Sequence, residues 1–507
     1  MLDADVLRAW AHGARTALAL ARPAVDAVNV FPVADADTGT NVLLTVVGGA
    51  EAVDALEHGG AAEVARAFAR GALLAARGNS GIIVSQYLAG FADGLAGAGP
   101  SDDLLVRSLG GAARAARGAV AEPVEGTVLT LADVVASEAA GLTPGMPTAT
   151  RLAAVLESAH AALGRISEAH PVLRREHVVD AGACALLVLL ESLHRAVTGA
   201  PEPDEPAAWL PGPASHGRAV HGEGGAYEVM LVVRAPDGSG TGAGAGRGGA
   251  LDGAVDTGAL LRERLVAVGD SVAVVGRDDV WHVHVHTDRP DAAVAAAGDA
   301  GAREQVVVRL VDAPHGQSGC TEDGPVAAAR RGLVVCTASP PLAAWYAAAG
   351  AVVLVAVPDT PVRADHVARA VADTGAADVA VVPGGLLDGD ALAPRPGPAV
   401  EVLPADDELR SVVAVLAFAS SGTGQHDVAG ALGRLRAGRA DDVAALPDAL
   451  AGLLTGRTAE SLTVLHRDPL DAGTAARVAE AAAQHGDVEP VLVGPTGTGT
   501  AFWLGVD

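Results

Sequence analysis

Two patterns of hydrophobic and polar residues divide the chain into a helical part and a part that alternates strands with helices. Through residues 1–198, apolar positions recur every three or four residues, which is the spacing of amphipathic helices. The stretches with this spacing are residues 42–56, 61–76, 82–95, 128–140, 148–162 and 185–197. Because no convincing alternating strand lies between them, the pattern predicts an all-helical domain over residues 1–198.

Residues 199–225 are rich in Pro, Gly and His and are predicted to be a linker. Beyond them the pattern predicts a strand, a helix, two strands, a helix and a strand. These elements are residues 227–234, 258–268, 271–276, 280–287, 290–300 and 305–311. Because this β-α-β-β-α-β order is that of a split βαβ sandwich, residues 226–312 are predicted to form a small α+β domain.

A second predicted linker, residues 313–326, precedes a predicted α/β domain over residues 327–507, so the expected fold class is multidomain. Its predicted strands include residues 379–383, 401–403, 462–466 and 491–493. The uncharged stretch 332–358 is long enough to cross a bilayer. Pro340, Pro341 and Gly350 interrupt it, however, and favour a strand, a turn, a short helix and a strand over a membrane span.

Charge and cysteine content narrow the function. The chain has 35 basic and 61 acidic residues, a net charge of −26, which argues against nucleic acid or an anionic membrane as a partner. Every basic residue is Arg, so no lysine is present to hold a phosphate as in a Walker A motif. Cys184, Cys320 and Cys336 are too few for a disulfide framework. With no visible targeting segment, the expected location is the cytoplasm.

The first candidate site is a pair of aspartates in residues 29–41. Asp35 and Asp37 lie two residues apart, which puts both carboxylates on one side of an extended segment. Carboxylate oxygens are ligands that Mg²⁺ prefers, alongside substrate phosphates. Gly39 permits an unusual backbone angle, and Thr40 could cap the following helix, whose free N–H groups suit a phosphate. A plain capping loop with two surface acids explains the motif equally well.

Three further loops place small polar residues where a predicted helix begins, at residues 78–81, 125–127 and 180–182. Helix capping alone can explain each of them. If the four helix ends gather at one rim of a bundle, they form an anion site beside a metal held by Asp35 and Asp37. The metal, the helix ends and Arg77 would then neutralise the charge of a bound nucleotide.

These motifs together resemble a known family. The segments are 29–41 (NVFPVADADTGTN), 76–81 (ARGNSG), 125–130 (EGTVLT) and 179–182 (VDAG), followed by 268–271 (VGDS) and 284–287 (HVHT). They are similar to the nucleotide-binding L domain of dihydroxyacetone kinases and, more closely, to the A subunit of bacterial fatty acid kinase. The resemblance implies a helical barrel that binds ATP with Mg²⁺. It also implies a kinase that acts on a fatty acid held by a separate DegV-like binding protein and yields an acyl phosphate.

The resemblance assigns roles position by position. Asp35 and Asp37 correspond to the metal-binding acids, and Asn29 stands near the place of a third acid in the dihydroxyacetone kinases. The residues that match the nucleotide-contacting loops are Thr38, Gly39, Thr40, Asn41, Asn79, Ser80, Gly81, Thr127, Asp180 and Gly182. The chain departs from the family where Ala34 and Ala36 replace Pro and Gly, and Ala36 would stiffen this loop.

The histidines of the middle segment form a second candidate site. His282, His284 and His286 place three imidazoles on one face of a predicted strand. The resemblance suggests that His284 and His286, with a Cys on the first strand of this domain, form a metal or catalytic site near the transferred phosphate. That strand has no Cys, and zinc needs three or four ligands, so Glu228 or His282 would have to complete the set. Hydrogen-bonded histidines on an exposed strand face are the alternative.

The closing segment resembles the family less. Residues 413–418 and 501–506 fit a DegV-like fold, whereas residues 357–361 and 383–385 depart from its usual loops. The resemblance implies that this domain docks the fatty-acid-binding partner, and a homodimer is a further expectation. The expected function is therefore the ATP-binding subunit of a two-component kinase. The alternatives are a dihydroxyacetone-type small-molecule kinase and a nucleotide-binding regulatory protein without turnover.

Overall fold

The computed structural model describes most of the chain. The described residues are 2–31, 36–96, 103–120, 123–143, 145–211, 225–235, 256–277, 279–311, 331–387, 398–419, 428–454, 461–484 and 490–506. Asp35, Cys320 and the second predicted linker lie outside them. The described part of the first predicted linker, residues 199–211 and 225, contains no helix or strand.

The described part of residues 1–198 forms a bundle of helices, as the spacing predicts. They are α1 (Ala4–Ala27), α2 (Thr38–Asp54), α3 (Ala61–Ala75), α4 (Gly78–Ala96), α5 (Leu104–Gly118), α6 (Val128–Gly141), α7 (Thr148–Ala169), α8 (Pro171–Glu176) and α9 (Ala181–Thr198). The six predicted stretches correspond to α2, α3, α4, α6, α7 and α9. The helices α1, α5 and α8 are not among the predicted stretches.

The core of this bundle is built around α9. By length and composition α9 could cross a membrane, but 67% of its apolar window is buried inside the protein. Trp10 of α1 donates a hydrogen bond from Nε1 to the carbonyl oxygen of Leu189 at 2.9 Å. The Trp10 ring also contacts Phe68 and Phe91, whose ring centroids lie 5.4 and 4.9 Å away. Neighbouring helices thus cover the apolar surface of α9, which explains its composition.

The middle segment has the predicted order of strands and helices. Its elements are β1 (Tyr227–Arg234), α10 (Thr257–Val266), β2 (Asp270–Arg277), β3 (Val280–Thr287), α11 (Pro290–Gly298) and β4 (Ala302–Leu310). Trp281, Val283 and Val285 point to one face of β3 and pack in a buried core with Leu261 of α10 and Ala293 of α11. The three histidines of β3 alternate with these residues and therefore lie on the opposite face.

Strands and helices continue to alternate through the rest of the described chain. They are β5 (Gly332–Thr337), α12 (Ala343–Ala348), β6 (Val352–Val355), α13 (Ala364–Asp373), β7 (Asp378–Val382), β8 (Ala399–Val402), α14 (Glu408–Ala419), α15 (Val428–Arg434), β9 (Arg436–Ala440), α16 (Leu446–Leu454), β10 (Leu462–His466), α17 (Ala472–Ala483), β11 (Pro490–Val493) and β12 (Phe502–Val506). Residues 332–358 form a strand, a turn with one 3₁₀ segment, a short helix and a strand. The prediction against a membrane span in this stretch is confirmed.

Strands from both sides of the second predicted linker join in one sheet. The order of this eight-stranded sheet is β2-β3-β1-β4-β6-β5-β7-β8, and a second sheet has the order β11-β10-β12-β9. The junction is the antiparallel pair of β4 and β6, in which Val307 lies opposite Leu354. The predicted boundary between the middle and closing domains therefore does not separate two sheets. The DegV-like character of residues 327–507 stays a prediction.

One face of the large sheet packs against the helical bundle. Ala273 and Val275 of β2 form a small buried cluster with Ile82 of α4 and Ala119. In the pairing of β2 with β3, Ala273 lies opposite His284 and Val275 opposite His282. Because directly opposite residues of an antiparallel pair share a face, the histidines also point toward the bundle. The fold thus brings the histidine strand up to the N-terminal end of α4.

Candidate functional site

A cleft of about 310 Å³, including its open mouth, lies between the bundle and the large sheet, and we call it the histidine cleft. It is lined by Asn29, Asp37, Thr38, Asn41, Gly78, Asn79, Ser80, Glu228, His284 and His286. The first seven belong to the N-terminal ends of α2 and α4 and to the segment before α2. The last three belong to β1 and β3. The fold therefore joins two candidate sites that are about 250 residues apart in the sequence.

The N-terminus of α2 is capped from another helix. Asp37 occupies the N-cap position, but its side chain makes no capping hydrogen bond. Asp26 of α1 caps the helix instead, since its carboxylate accepts from the backbone N–H of Thr40 at 3.0 Å and from Thr40 Oγ1 at 2.9 Å. The prediction that Thr40 caps the helix is therefore wrong, because Thr40 lies in the first turn. Burial raises the pKa of Asp26 to about 6, although the hydrogen bonds from Thr40 act in the opposite direction.

Two predicted site glycines are required by packing between helices. A Cβ on Gly39 would lie 2.7 Å from the carbonyl oxygen of Arg22 in α1. A Cβ on Gly81 would lie 2.4 Å from Oγ1 of Thr45 in α2. Gly39 and Gly81 are absent from the lining of the histidine cleft. Gly39 has ordinary helical geometry, so the expected unusual backbone angle is not found there.

Positive φ angles occur instead at Gly78, where α4 begins, and at Ala36, shortly before α2. Gly78 has φ +55°, and a Cβ there would meet Asn41 Nδ2 at 2.5 Å, so this position needs glycine for two reasons. Ala36 also has a positive φ of +55°. A residue with a Cβ is strained in this region by about 1 kcal/mol or more, which explains the glycine usual in the resembling family at this position.

Polar side chains of α2 and α4 meet in the cleft. Thr38 Oγ1 and Ser80 Oγ lie 3.3 Å apart, within hydrogen-bond distance. The Oδ1 atom of Asn79 is buried and has no hydrogen-bond partner among the described residues. A buried amide oxygen without a partner is costly unless a ligand or water satisfies it. The ends of α2 and α4 therefore offer polar groups to a molecule in the cleft.

The other two predicted helix ends form a neighbouring pair. Asp180 caps α9, where it accepts from the N–H of Ala183 at 2.8 Å, and Thr127 caps α6. A Cβ on Gly182 would lie 3.1 Å from Cβ of Val128 in α6, so the two ends are in contact. Thr127, Asp180 and Gly182 do not line the histidine cleft. The capping explanation holds for Thr127 and Asp180, and their role in nucleotide binding stays a prediction.

Arg309 of β4 connects the two sides of the cleft. Its Nη2 lies 2.8 Å from Asp37 Oδ2 across the domain boundary, and its Nε donates to Glu228 Oε2. Glu228 lies opposite His286 in the pairing of β1 with β3. His284 Nδ1 lies 3.1 Å from the remaining oxygen, Glu228 Oε1. Arg309 was not among the residues predicted from the sequence, although an arginine among the valines of a buried strand is a usable signal.

The histidines of the cleft are buried and neutral. Burial lowers the pKa of His284 to about 4. Burial, with His284 as a second cause, lowers the pKa of His286 to about 3. Glu228, His284 and His286 each offer one ligand atom, and these atoms lie within 4.8 Å of one another. Neutral imidazoles and a carboxylate form a donor set that can hold a cation. His282 lies outside this set.

Comparisons with known proteins find relatives for both parts of the chain that line the histidine cleft. Residues 32–195 match the DAK2 domain family, and residues 226–317 match the middle domain of proteins like the A subunit of fatty acid kinase. Protein YloV of Bacillus subtilis is 35% identical over 269 residues, which are 53% of this chain and 48% of that protein. An uncharacterized protein of Staphylococcus epidermidis is 32% identical over 279 residues, which are 52% of this chain and 47% of that protein. The chain thus spans about half the length of the curated relatives it matches.

The chain thus contains a DAK2 domain and, after it, a middle domain like that of the A subunit of fatty acid kinase, in the order that the motifs predict. The resemblance inferred from the motifs is confirmed for residues 32–317. A solved structure, the dihydroxyacetone kinase from C. freundii with AMP-PNP and Mg²⁺, is 14% identical with a TM-score of 0.30. The match covers 38% of this chain and 33% of the dihydroxyacetone kinase chain. A TM-score of 0.30 does not establish a common fold.

Proposed function

We propose that the chain is the ATP-binding subunit of a two-component kinase. Its acceptor would be the carboxylate of a fatty acid presented by a DegV-like binding protein in the cytoplasm, and its product an acyl phosphate. The observation that carries the proposal is the histidine cleft, which joins helix ends of the DAK2 domain to Glu228, His284 and His286 of the middle domain. Phosphoryl transfer needs mainly positioning and charge stabilisation, and this arrangement supplies both.

The side chains of the cleft suit a nucleotide with Mg²⁺. Asp37, with Asp35 from outside the described residues, would hold the metal, which would neutralise phosphate charge. The N–H groups at the ends of α2 and α4 and the polar groups of Thr38, Asn79 and Ser80 would contact the phosphates. Arg309 places a guanidinium beside Asp37 and could offset the charge on the transferred group.

The proposed reaction needs no general base. An oxygen of the acceptor carboxylate bonds to the γ-phosphorus while the bond from that phosphorus to the β,γ-bridging oxygen breaks, and ADP leaves. A carboxylate is already ionised at pH 7, so no proton has to be removed from it. Neutral His284 and His286 could donate hydrogen bonds to the phosphoryl group or hold a cation next to it.

The nucleotide assignment is tested with Asp37→Asn. The variant should bind ADP in the presence of Mg²⁺ at least about tenfold more weakly by calorimetry, because a carboxylate ligand of the metal is lost. Asp54→Asn, at the other end of the same helix, is the matched control and should bind ADP as the wild type does. Wild-type affinity in Asp37→Asn would refute the site.

The acceptor is tested by ATP consumption. Turnover that requires a DegV-like protein loaded with oleate supports the proposed reaction. Turnover with dihydroxyacetone would support the small-molecule kinase instead. Tight ADP binding without turnover under either condition would favour a regulatory protein.

We also propose a zinc ion at Glu228, His284 and His286. Donor atoms about 2.0–2.1 Å from a tetrahedral zinc lie roughly 3.3 Å apart. The 3.1 Å between His284 Nδ1 and Glu228 Oε1 is close to this separation. Glu228 would then take the place of the Cys that the resemblance implies, and Arg309 would orient its carboxylate from the other oxygen.

A further inference from the structure

A second cleft lies beside the histidine cleft on the same face of the sheet. It holds about 550 Å³ of space, including its open mouth, and we call it the arginine cleft. Its polar side chains are Arg77, His282, Gln305, His366, Arg369 and Asp373. Ile82, Met230 and Leu354 supply an apolar wall. His282 and His284 are two residues apart on β3, so the two clefts are roughly 7 Å from each other along this strand.

The arginine cleft carries an excess of positive charge. Arg77 Nε lies 2.9 and 3.0 Å from the two carboxylate oxygens of Asp373, so this pair is neutral overall. Within the described residues, Arg369 makes one hydrogen bond, from Nη1 to Gln305 Oε1 at 2.8 Å. Gln305 is uncharged and does not offset the charge of Arg369, which Asp365 and Asp373 favour from a distance without pairing with it among the described residues. Burial and the neighbouring Arg77 lower the pKa of Arg369, which nevertheless stays protonated as guanidinium groups do in proteins.

Two imidazole nitrogens in this cleft have no hydrogen-bond partner in the part of the chain that the structure describes. His282 is 7% exposed and His366 is 4% exposed. The Nε2 atom of each is buried without a hydrogen-bond partner among the described residues. Neutral imidazole can carry its proton on Nε2 and donate it. Two buried donors and a half-buried guanidinium therefore face a space that is walled on another side by apolar side chains.

We propose that the arginine cleft binds an amphiphilic oxyanion, a carboxylate or phosphate carried on a short apolar chain. Arg369 and the imidazoles contact the oxygens, and Ile82, Met230 and Leu354 contact the chain. Guanidinium groups match the planar oxygens of carboxylates and phosphates, and charge-assisted hydrogen bonds are the strongest of their kind. This site is separate from the nucleotide position at the helix ends, and its occupation does not require the kinase reaction.

The test is a set of calorimetric titrations of the full-length protein with four probes. Octanoate and octyl phosphate carry both an oxyanion and a chain. Octanol carries the chain alone, and inorganic phosphate carries the oxyanion alone. The two amphiphilic anions should bind the wild type at least tenfold more tightly than octanol or inorganic phosphate. The reason is that only they can contact both the polar side chains and the apolar wall of the cleft.

The variants decide which side chain is responsible. Arg369→Gln should weaken octanoate or octyl phosphate binding at least tenfold, and Arg369→Lys should restore part of it. Arg363→Gln is the matched control, because Arg363 flanks the same helix and pairs with Asp365 outside the cleft. Equal binding of octanol, no binding of either anion, or unchanged binding in Arg369→Gln would overturn the proposal. ADP binding with Mg²⁺, measured on the same samples, tests the proposed function separately.

Discussion

Buried carboxylates at helix ends make the stability of this protein depend on pH. Asp180 caps α9 and is 5% exposed. Burial raises its pKa to about 6 from the ordinary 3.8, while N–H donation from Ala183 and Val128 acts in the other direction. The folded chain thus holds this proton more tightly than the unfolded chain. The resulting stabilisation is present below about pH 4 and is lost as the pH rises through about 6.

Asp180→Asn should remove this pH dependence. Asn keeps an oxygen that can cap the helix but carries no charge to bury. A shift of about two units corresponds to at most about 3 kcal/mol, of which about 2 kcal/mol is lost between pH 4.5 and 7.5. Over this range the variant should therefore gain roughly 4–8 °C in Tm relative to the wild type. The measurement is thermal unfolding at both pH values without nucleotide.

The control for this experiment is Asp471→Asn. Asp471 is an N-cap of α17 whose pKa is lowered by the N–H of Thr474, so its substitution should give no gain in Tm at the higher pH. If the Tm of Asp180→Asn and of the wild type changes in parallel with pH, Asp180 does not bury a charge in the folded protein.

At the scale of single elements, the local hydrophobic pattern predicts whether a segment is a helix or a strand better than it predicts where the element begins and ends. The bounds of β3 were predictable to the residue, because buried apolar residues alternate with histidines along it. The start of α2 was not predictable, since its N-terminus is capped by Asp26 from a different helix. Arg309 and Asp37 are 272 residues apart in the sequence, so no local pattern could reveal that they form an ion pair.

The histidine strand yields a prediction about metal content. If Glu228, His284 and His286 hold zinc, the purified protein should contain about one zinc per chain by elemental analysis. His286→Gln should lower this content several-fold, because it removes one of three ligands. His282→Gln, two residues away from His284 on the same face of β3, should keep the wild-type content. Equal zinc in both variants, or none in the wild type after growth with zinc, would contradict the site.

At the scale of the whole molecule, the eight-stranded sheet connects the three parts of the chain: the middle and closing segments supply its strands, and the helical bundle packs against it. The pairing of β4 with β6 crosses the second predicted linker, and helices of the bundle cover the face that carries the histidines. Hydrophobic spacing predicts each strand separately but carries no information about pairing between strands that a linker separates. The types of helices and strands in each domain were therefore predictable from the sequence. The sheet that the middle and closing segments share, and the two clefts between this sheet and its neighbours, could be recognised only in the structure.

The ion pair between Arg77 and Asp373 links the closing part of the chain to residues 78–80, which we call the nucleotide loop because we propose that they contact the nucleotide. Asp373 ends α13, and Arg77 directly precedes Gly78, Asn79 and Ser80. Arg77 Nη1 also donates to the carbonyl oxygens of residues 75 and 76 at 3.2 and 3.0 Å. The pair is largely buried, with side-chain exposures of 15% and 6%, so it can position this loop more firmly than a surface pair could.

Asp373→Asn should therefore weaken ADP binding with Mg²⁺ about three- to tenfold, although residue 373 does not line the histidine cleft. Arg77→Met should have a similar effect, and the double variant should be no weaker than the single ones, because both substitutions break one interaction. Asp359→Asn is the matched control, since it breaks the ion pair with Arg303 away from this loop. Additive losses in the double variant, or equal losses in Asp373→Asn and Asp359→Asn, would show that the pair contributes only general stability and does not hold the nucleotide loop.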